Sequence, residues 1–251
     1  LNADGSLDTS FGTVTSGNAN TLNAAPSYTE NAAPLVLDSS VIITDTDLAA
    51  LDGGAGNYAG ASVTLARAGG ASAQDVFSAS GSLTFSGSDA ILSGTTVGSV
   101  SNSGGTLTIT FNSAATQAAV NAVLSAIAYS NTSDAPPASV QIDWSFSDGN
   151  TGSQGTGGAG TTSGTTIVNI TAVNDAPVII DVPASAQRVA AGTAADLADF
   201  TVADADGADV NLTVTLTTTN GTLSGLTDTD SNTAGIQLTG TAAQINATIA
   251  S

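Results

Sequence analysis

The chain contains no cysteine, histidine, methionine or lysine, and its only basic residues are Arg67 and Arg188. Without histidine or cysteine it has no Ser-His-Asp or Cys-His triad, and no ordinary zinc, haem or iron–sulfur site. Without lysine it has no Schiff base and no P-loop lysine. Two arginines are too few to neutralise a phosphate backbone, so nucleic acid is not an expected partner.

Acidic residues dominate the charged ones. The net charge is -19, and Glu30 is the only glutamate among 21 acidic residues. Aspartate is a turn residue and a short-reach oxygen ligand, whereas glutamate favours helices. Anionic membranes repel such a chain, and no apolar run reaches the ~18–20 residues that cross a bilayer. What the composition leaves open is the binding of hard cations through oxygen ligands, or no site chemistry at all.

The hydrophobic pattern predicts β-structure. Only 9% of the residues are charged and the mean hydropathy is +0.23, which argues against plain disorder. Short runs of alternating polar and apolar residues are separated by Gly, Asn, Asp and Ser, as in antiparallel sandwiches. The predicted strands cover residues 41–44, 61–65, 82–85, 106–111, 140–146 and 166–170. The fold class expected is therefore all-β.

Two segments depart from this alternation. Between Asn112 and Ala128, Val120, Val123, Leu124 and Ile127 lie at helical spacing, which predicts a short helix with Asn112 or Ser113 as its N-cap. We expect this stripe to pack into the core. From Asp148 to Gly164 the sequence is rich in Gly, Ser and Thr, and we interpret it as a long hairpin loop.

An internal repeat divides the chain. Four segments recur in the same order: 23–26 and 174–177, 45–47 and 204–206, 81–84 and 221–224, and the helix positions Gln117, Val120, Asn121 and Leu124 with Gln244, Ile245, Asn246 and Ile249, after one gap. The repeat predicts one domain over residues 23–173 and a second over 174–251, with residues 1–22 as a linker or the tail of a preceding module. The second copy has no counterpart of the last strands, so we expect it to be C-terminally incomplete or completed by another chain.

Several motifs resemble those of bacterial cadherin-like repeats, which are related to VCBS domains. The segment from Thr171 to Pro177 is similar to their "VNDAP" linker, residues 28–32 to their "TEN" strand, residues 45–47 to their D-x-D loop, and residues 147–149 to their "SDG" hairpin. Such repeats occur in tandem in large secreted adhesins of the RTX type. The resemblance implies tandem cadherin/Ig-like β-sandwiches, each with one short helix, at the bacterial cell surface. Residues 1–12 resemble a delta-60 repeat signature.

The resemblance also implies a set of calcium ligands. Asn174 and Asp175 in the linker, with Asp204 and Asp206 from the second unit, would bind Ca²⁺ at the domain junction. The first unit offers Glu30, Asp45 and Asp47, and Asp148 is expected near one of its ends. Its own linker reads Asn23-Ala24, and the second unit has no evident counterpart of Glu30. The alternative is that these aspartates form Asx turns and solvated loops.

We expect a non-catalytic segment of a secreted adhesin, stiffened by Ca²⁺ and bound to neighbouring repeats of the same chain. The alternative is a self-assembling surface-layer or filament subunit, completed by strands from neighbouring chains. A two-carboxylate glycosidase is disfavoured because Glu30 is the only glutamate. Carbohydrate binding would use Trp144 or Tyr58. Trp144 alternates with Ile142 and Phe146, which favours a core position, whereas Tyr58 lies in a Gly-rich loop.

Overall fold

The computed structural model describes residues 22, 24–151, 158–230 and 234–250. The segment that resembles a delta-60 signature lies outside the described residues. The chain divides into two compact units, Leu1–Ala172 and Val173–Ser251, so the division falls close to the start of the second predicted domain. Most elements are strands in antiparallel sheets, which confirms the all-β fold class.

The described part of the first unit contains two sheets. Its strands, in chain order, are β1 (Ser27–Thr29), β2 (Leu35–Val36), β3 (Ser62–Arg67), β4 (Asp75–Ala79), β5 (Leu83–Ser86), β6 (Asp89–Leu92), β7 (Thr95–Ser103), β8 (Thr106–Phe111), β9 (Ile127–Asn131), β10 (Ser139–Ser147) and β11 (Thr161–Thr171). The larger sheet has the order β1-β11-β10-β3-β8-β7-β6-β5, and the smaller one β2-β9-β4. Neighbouring strands are antiparallel except for β1 and β11, which are parallel.

Alternation along the strands separates the core from the solvent. On β10, the side chains of Val140, Ile142, Trp144 and Phe146 are buried, and those between them face outward. The outward positions of neighbouring strands carry mostly hydroxyls. One cross-strand row runs through Ser101, Thr108, Thr64, Ser145 and Ser163. Such short polar side chains expose little apolar surface to water.

The predicted helix exists but is shorter than expected. Helix α2 covers Gln117–Leu124, and Thr116 is its N-cap, accepting from the amide of Ala119. The prediction of Asn112 or Ser113 as the cap was wrong: Asn112 instead closes an Asx turn with the amide of Ala114, at 2.8 Å. Val120, Val123 and Leu124 are buried, which confirms that the stripe packs into the core.

A second difference concerns residues 41–44, for which the alternation predicted a strand. No ladder forms there, although Val41 and Ile43 are buried. A helix that the sequence did not predict, α1 (Thr46–Ala50), follows, then a 3-10 turn at Asp52–Gly54. Within its described residues the first unit therefore has two α-helices rather than one. Within residues 41–44, the apolar side chains of Val41 and Ile43 are buried although this segment pairs with no strand.

The second unit is smaller. It contains β12 (Val178–Ile180) paired with β13 (Thr201–Ala203), β14 (Asn211–Leu216) paired with β15 (Ile236–Thr241), and helix α3 (Ala242–Ile249). Its buried core consists of Val202, Leu212, Ile236, Leu238 and Ile245. Among the residues that the structure describes in either unit, no helix is long and apolar enough to cross a membrane.

The two units repeat the same local arrangement around the helix. Both helices have eight residues and a threonine N-cap, Thr116 and Thr241. The Oδ1 of Asn121 accepts from the amide of Ile43 at 3.0 Å, and that of Asn246 accepts from the amide of Val202 at 2.8 Å. Ile43 and Val202 each lie two residues before the first aspartate of a D-x-D loop, so the same clamp recurs.

The correspondence between the two helices in the repeat needs no gap. The caps, the clamping asparagines and the helix ends all match at a constant spacing, which places Gln117 opposite Ala242 rather than opposite Gln244. The Gln117–Gln244 match of the sequence alignment was therefore wrong. Gln244 instead completes a capping box with Thr241, because its side chain accepts from the Thr241 amide at 2.9 Å.

Candidate metal-binding groups

Glu30 lies directly after β1 and is buried. Its backbone amide donates to the carbonyl of Thr171 at 3.0 Å. A carboxylate oxygen of Asp134, in the loop between β9 and β10, lies within 4.8 Å of one of Glu30. Asp134 is exposed and belongs to none of the motifs singled out in the sequence. Only the fold brings this pair together, and a divalent cation would relieve the repulsion between the two charges.

The D-x-D loop of the first unit serves as a helix cap. The carboxylate of Asp45 is buried and accepts from the amide of Leu48 at 2.8 Å, which makes Asp45 the N-cap of α1. Asp47 lies in the first turn of that helix, where a negative charge is favourable. Within the described part of this unit, Glu30, Asp45 and Asp47 do not form a cluster in which carboxylate oxygens lie within 4.8 Å of one another.

Asp148 closes the long hairpin loop. Its Oδ1 accepts from the amides of Asn150 and Gly160, both at 2.9 Å, and the side chain is buried. Gly149, at a φ of 68°, lets the loop pass so close to Gly60 that a Cβ would lie 2.0 Å from the Gly60 carbonyl oxygen. The "SDG" segment therefore has a local structural use, which is the turn alternative considered from sequence.

The linker residues and the second D-x-D loop come together within the second unit. The Oδ2 of Asp206 accepts from the amide of Asp175 at 2.8 Å, and the Oδ1 of Asp204 accepts from the amide of Asp206 at 3.0 Å. Asn174 is exposed, and its side-chain amide donates to the carbonyl of Asp175 at 2.6 Å. The four residues Asn174, Asp175, Asp204 and Asp206 thus belong to one chain of hydrogen bonds, the linker–loop group.

An acidic residue also occupies the place of Glu30 in the second unit. The matching linkers, residues 23–26 and 174–177, put Asp181 at the position that corresponds to Glu30, one residue beyond the strand in both units. The motif match alone does not reach Asp181, because the strand between the linker and this position differs in sequence in the two units. The Oδ2 of Asp181 accepts from the hydroxyl of Thr201 at 2.9 Å, and Asp181 is exposed.

Neither aromatic residue considered for carbohydrate binding is accessible. Trp144 is buried, as expected, and its Nε1 donates to the hydroxyl of Thr166 at 3.0 Å. Tyr58 is fully buried, so its ring is not available for carbohydrate binding from the Gly-rich loop. A shallow open cavity lies beside Trp144 on the solvent face of the larger sheet and is lined by short polar side chains that include Asp143 and Ser145.

One buried polar network lies outside all of these groups. The carboxylate of Asp75 accepts from Nε of Arg67 at 2.7 Å and from Nη2 at 2.6 Å, and Oδ1 also accepts from Tyr129 and Asn131. The hydrogen bonds that Arg67 donates to Asp75 raise the pKa of Arg67, and burial is the main cause that raises the pKa of Tyr129. Every charge here is compensated, so the network is structural.

No family model matches the chain, and neither a curated protein nor a solved structure matches it.

Proposed function

We propose that the chain is a non-catalytic repeat segment of a large extracellular bacterial protein, in which Ca²⁺ stiffens the linker between successive β-domains. The observation that carries this proposal is the repeated clamp between helix and D-x-D loop, Asn121 with Ile43 and Asn246 with Val202. Two copies of one local design in tandem are typical of arrays built by duplication, in which each unit adds length.

The linker–loop group is the best candidate for the calcium ligands. Asp175 is a linker residue, yet its amide is already held by Asp206, so an ion bound to these carboxylates would fix the linker to the domain that follows. Ca²⁺ takes six to eight oxygens, and backbone carbonyls and water would complete the shell. The net charge of -19 favours cation binding and makes the chain repel itself without it.

Calorimetry with Ca²⁺ tests the ligand assignment. We expect Asp206→Asn to weaken binding, because this change removes one charge but keeps the side-chain shape. Asp209→Asn, an exposed aspartate three residues further on, is the matched control. Small-angle scattering with Ca²⁺ and with chelator then measures the stiffening. An unchanged maximum dimension in the two conditions would refute the extender function even if ions bind.

A self-assembling surface-layer or filament subunit is the second candidate. The observation in its favour is the exposure of apolar side chains along β12, where Val178, Ile179 and Ile180 all face solvent. Exposed strands of this kind pair with other chains by strand addition. Sedimentation velocity over a wide concentration range tests this candidate, and a chain that stays monomeric throughout would remove it.

A further inference from the structure

Asn220 lies in an exposed turn of the second unit, in the segment between β14 and β15. It is the only asparagine of the sequence that is followed by glycine. Neither Asn220 nor Gly221 belongs to a helix or a strand, and both are exposed. Because glycine has no side chain, nothing of its own shields its amide nitrogen. The pair therefore places an unshielded backbone amide next to a side-chain carboxamide.

The backbone of the turn leaves the Gly221 amide available. Within the described residues this amide donates to no acceptor, whereas the Gly221 carbonyl accepts from the hydroxyl of Thr218 at 3.1 Å. Gly221 has a φ of 104°, and a Cβ built on it would meet nothing within 4 Å. The amide nitrogen is therefore on a turn with open space around it.

The side chain of Asn220 differs from those of other asparagines near the surface. The side-chain amide of Asn102 donates to the carbonyl of Phe77 at 2.8 Å, and that of Asn112 donates to the carbonyl of Thr96 at 2.9 Å. In the part of the chain that the structure describes, no hydrogen bond holds the Asn220 side chain. Its Cγ can therefore rotate toward the amide of the next residue.

The first unit shows that the turn is also open in a unit that contains β10 and β11. The repeat makes Gly81 the counterpart of Gly221, and Ser80 the counterpart of Asn220. Gly81 is exposed, has a φ of 60°, and a Cβ built on it would again meet nothing within 4 Å. The open turn is therefore a property of the repeat, whereas the asparagine occurs in the second unit alone.

We propose that Asn220 is a site of spontaneous deamidation, at which the folded chain converts an asparagine to aspartate and isoaspartate without an enzyme. The Gly221 nitrogen bonds to Cγ of Asn220 and gives up its proton, while the Cγ–Nδ2 bond breaks and ammonia leaves. The product is a cyclic succinimide between the two residues. Solvent water then opens the ring at either of its carbonyl carbons, which gives aspartate or isoaspartate. The first step is intramolecular, so it depends on how freely the two groups approach each other.

The products change this turn in two ways. Each adds a negative charge to a chain whose net charge is already -19, and isoaspartate also lengthens the main chain by a methylene group. Because the reaction needs only water, the modified fraction increases with the age of the chain. The inference is independent of the calcium-dependent extender, since it uses none of the proposed ion ligands.

The experiment follows both deamidation sites in one folded chain. Ser113→Gly makes glycine follow Asn112, so the same residue pair occurs where hydrogen bonds with Thr96 and Ala114 hold the asparagine side chain. The folded variant is incubated at neutral pH, and its peptides are analysed by mass spectrometry over time. We expect Asn220 to deamidate at least about tenfold faster than Asn112, because a held side chain seldom adopts the geometry of attack. In denaturant the two rates should agree within about threefold, since neither side chain is then held.

Two further variants identify the chemistry. Gly221→Ala should slow the reaction at Asn220 at least about tenfold, because a Cβ hinders the attacking nitrogen. Asn220→Asp is the standard for the aspartate product, and a mixture with isoaspartate is expected because the succinimide opens at either carbonyl. No deamidation of Asn220 in the folded chain, equal rates at Asn112 and Asn220 in the folded Ser113→Gly variant, or aspartate as the sole product would each overturn the proposal.

Discussion

The two units share a helix motif but differ in the sheets around it. In the first unit the clamp of Asn121 is surrounded by two packed sheets, and the core includes residues with no exposure, such as Leu65 and Ile109. In the second unit, the described residues form a core of five buried apolar side chains, which includes Ile245 of the helix that carries Asn246. The clamp therefore depends on local sequence, the threonine cap and the asparagine, and does not require the full sandwich. The first strand of each unit, by contrast, is paired differently: β1 pairs in parallel with β11, and β12 pairs antiparallel with β13.

Removal of the Asp75 carboxylate should give the largest difference between the two units, as a loss of unfolding free energy in the first. Asp75→Ala leaves Arg67 without its partner and takes an acceptor from Tyr129, so we expect the first unit to lose about 3–5 kcal/mol of unfolding free energy. Denaturant unfolding followed by Trp144 fluorescence measures it, because this is the only tryptophan. Asp89→Ala, at an exposed position on β6, should change stability by less than about 0.5 kcal/mol. Equal losses in the two variants would contradict a structural network.

Alkaline pH should affect the units differently. Burial raises the pKa of Tyr58 to about 12, so its neutral form is favoured in the folded state. The stabilisation is complete below the unfolded pKa of about 10 and is lost as the pH rises through about 12. The difference between a pKa of about 10 and one of about 12 corresponds to about 2–3 kcal/mol of stability. All three tyrosines, Tyr28, Tyr58 and Tyr129, belong to the first unit.

Hydrogen exchange from pH 9 to pH 12, with Tyr58→Phe as the control, checks this expectation. The variant should keep more of its stability at high pH than the parent chain. A loss that is equally steep in Tyr58→Phe would assign the alkaline sensitivity to another group.

The two clamps can be compared directly. Asn121→Ala and Asn246→Ala each leave a backbone amide without its acceptor, that of Ile43 or that of Val202, and we expect each to cost about 1–3 kcal/mol. Thermal unfolding and exchange of the two helices measure the costs separately. If only one substitution destabilises its unit, the clamps are not equivalent and the argument for a structural repeat fails.

The helix caps should show the smallest difference. Thr116→Ala and Thr241→Ala each remove one cap hydrogen bond, at about 1 kcal/mol. We expect Thr241→Ala to raise amide exchange over a larger part of its unit, because a small core leaves less stability in reserve. Serine at either position keeps the hydroxyl and is the control. Indistinguishable exchange profiles for the two alanine variants would mean that core size does not set this sensitivity.

The sequence predicted strands where the alternation of polar and apolar residues continues over many positions. Strands β8 and β10 alternate strictly between polar and apolar residues, so their existence was predicted. The hairpin from β10 to β11 was also predicted, but the loop was drawn too long: β11 begins at Thr161, and residues 161–164 were assigned to the loop because they are all Thr, Ser and Gly. Strand β9 was missed because Ile127 and Ala128 continue the helical spacing of α2 beyond its end. Residues 41–44 alternate as a strand would, but side-chain amides of α2 take over the hydrogen bonds of Ile43.

The candidate site was predicted less completely. The link between Asp175 and the second D-x-D loop followed from motif matching, because both segments recur at fixed places in the repeat. Asp134 was missed because its approach to Glu30 depends on how the loop after β9 lies beside the end of β1, which no local pattern encodes. Asp181 was missed because a strand of different sequence separates it from the linker motif.

The parallel pairing of β1 with β11 also has a mechanical consequence. β1 opens the first unit and β11 closes it, and the two run in the same direction, so the chain enters at one end of this ladder and leaves at the other. A pull on the two ends of the unit would load the hydrogen bonds of this ladder in shear, all at once, rather than peel them apart one by one. We expect the first unit to resist force more strongly than its thermodynamic stability alone would suggest, and force spectroscopy on tandem copies would measure that resistance.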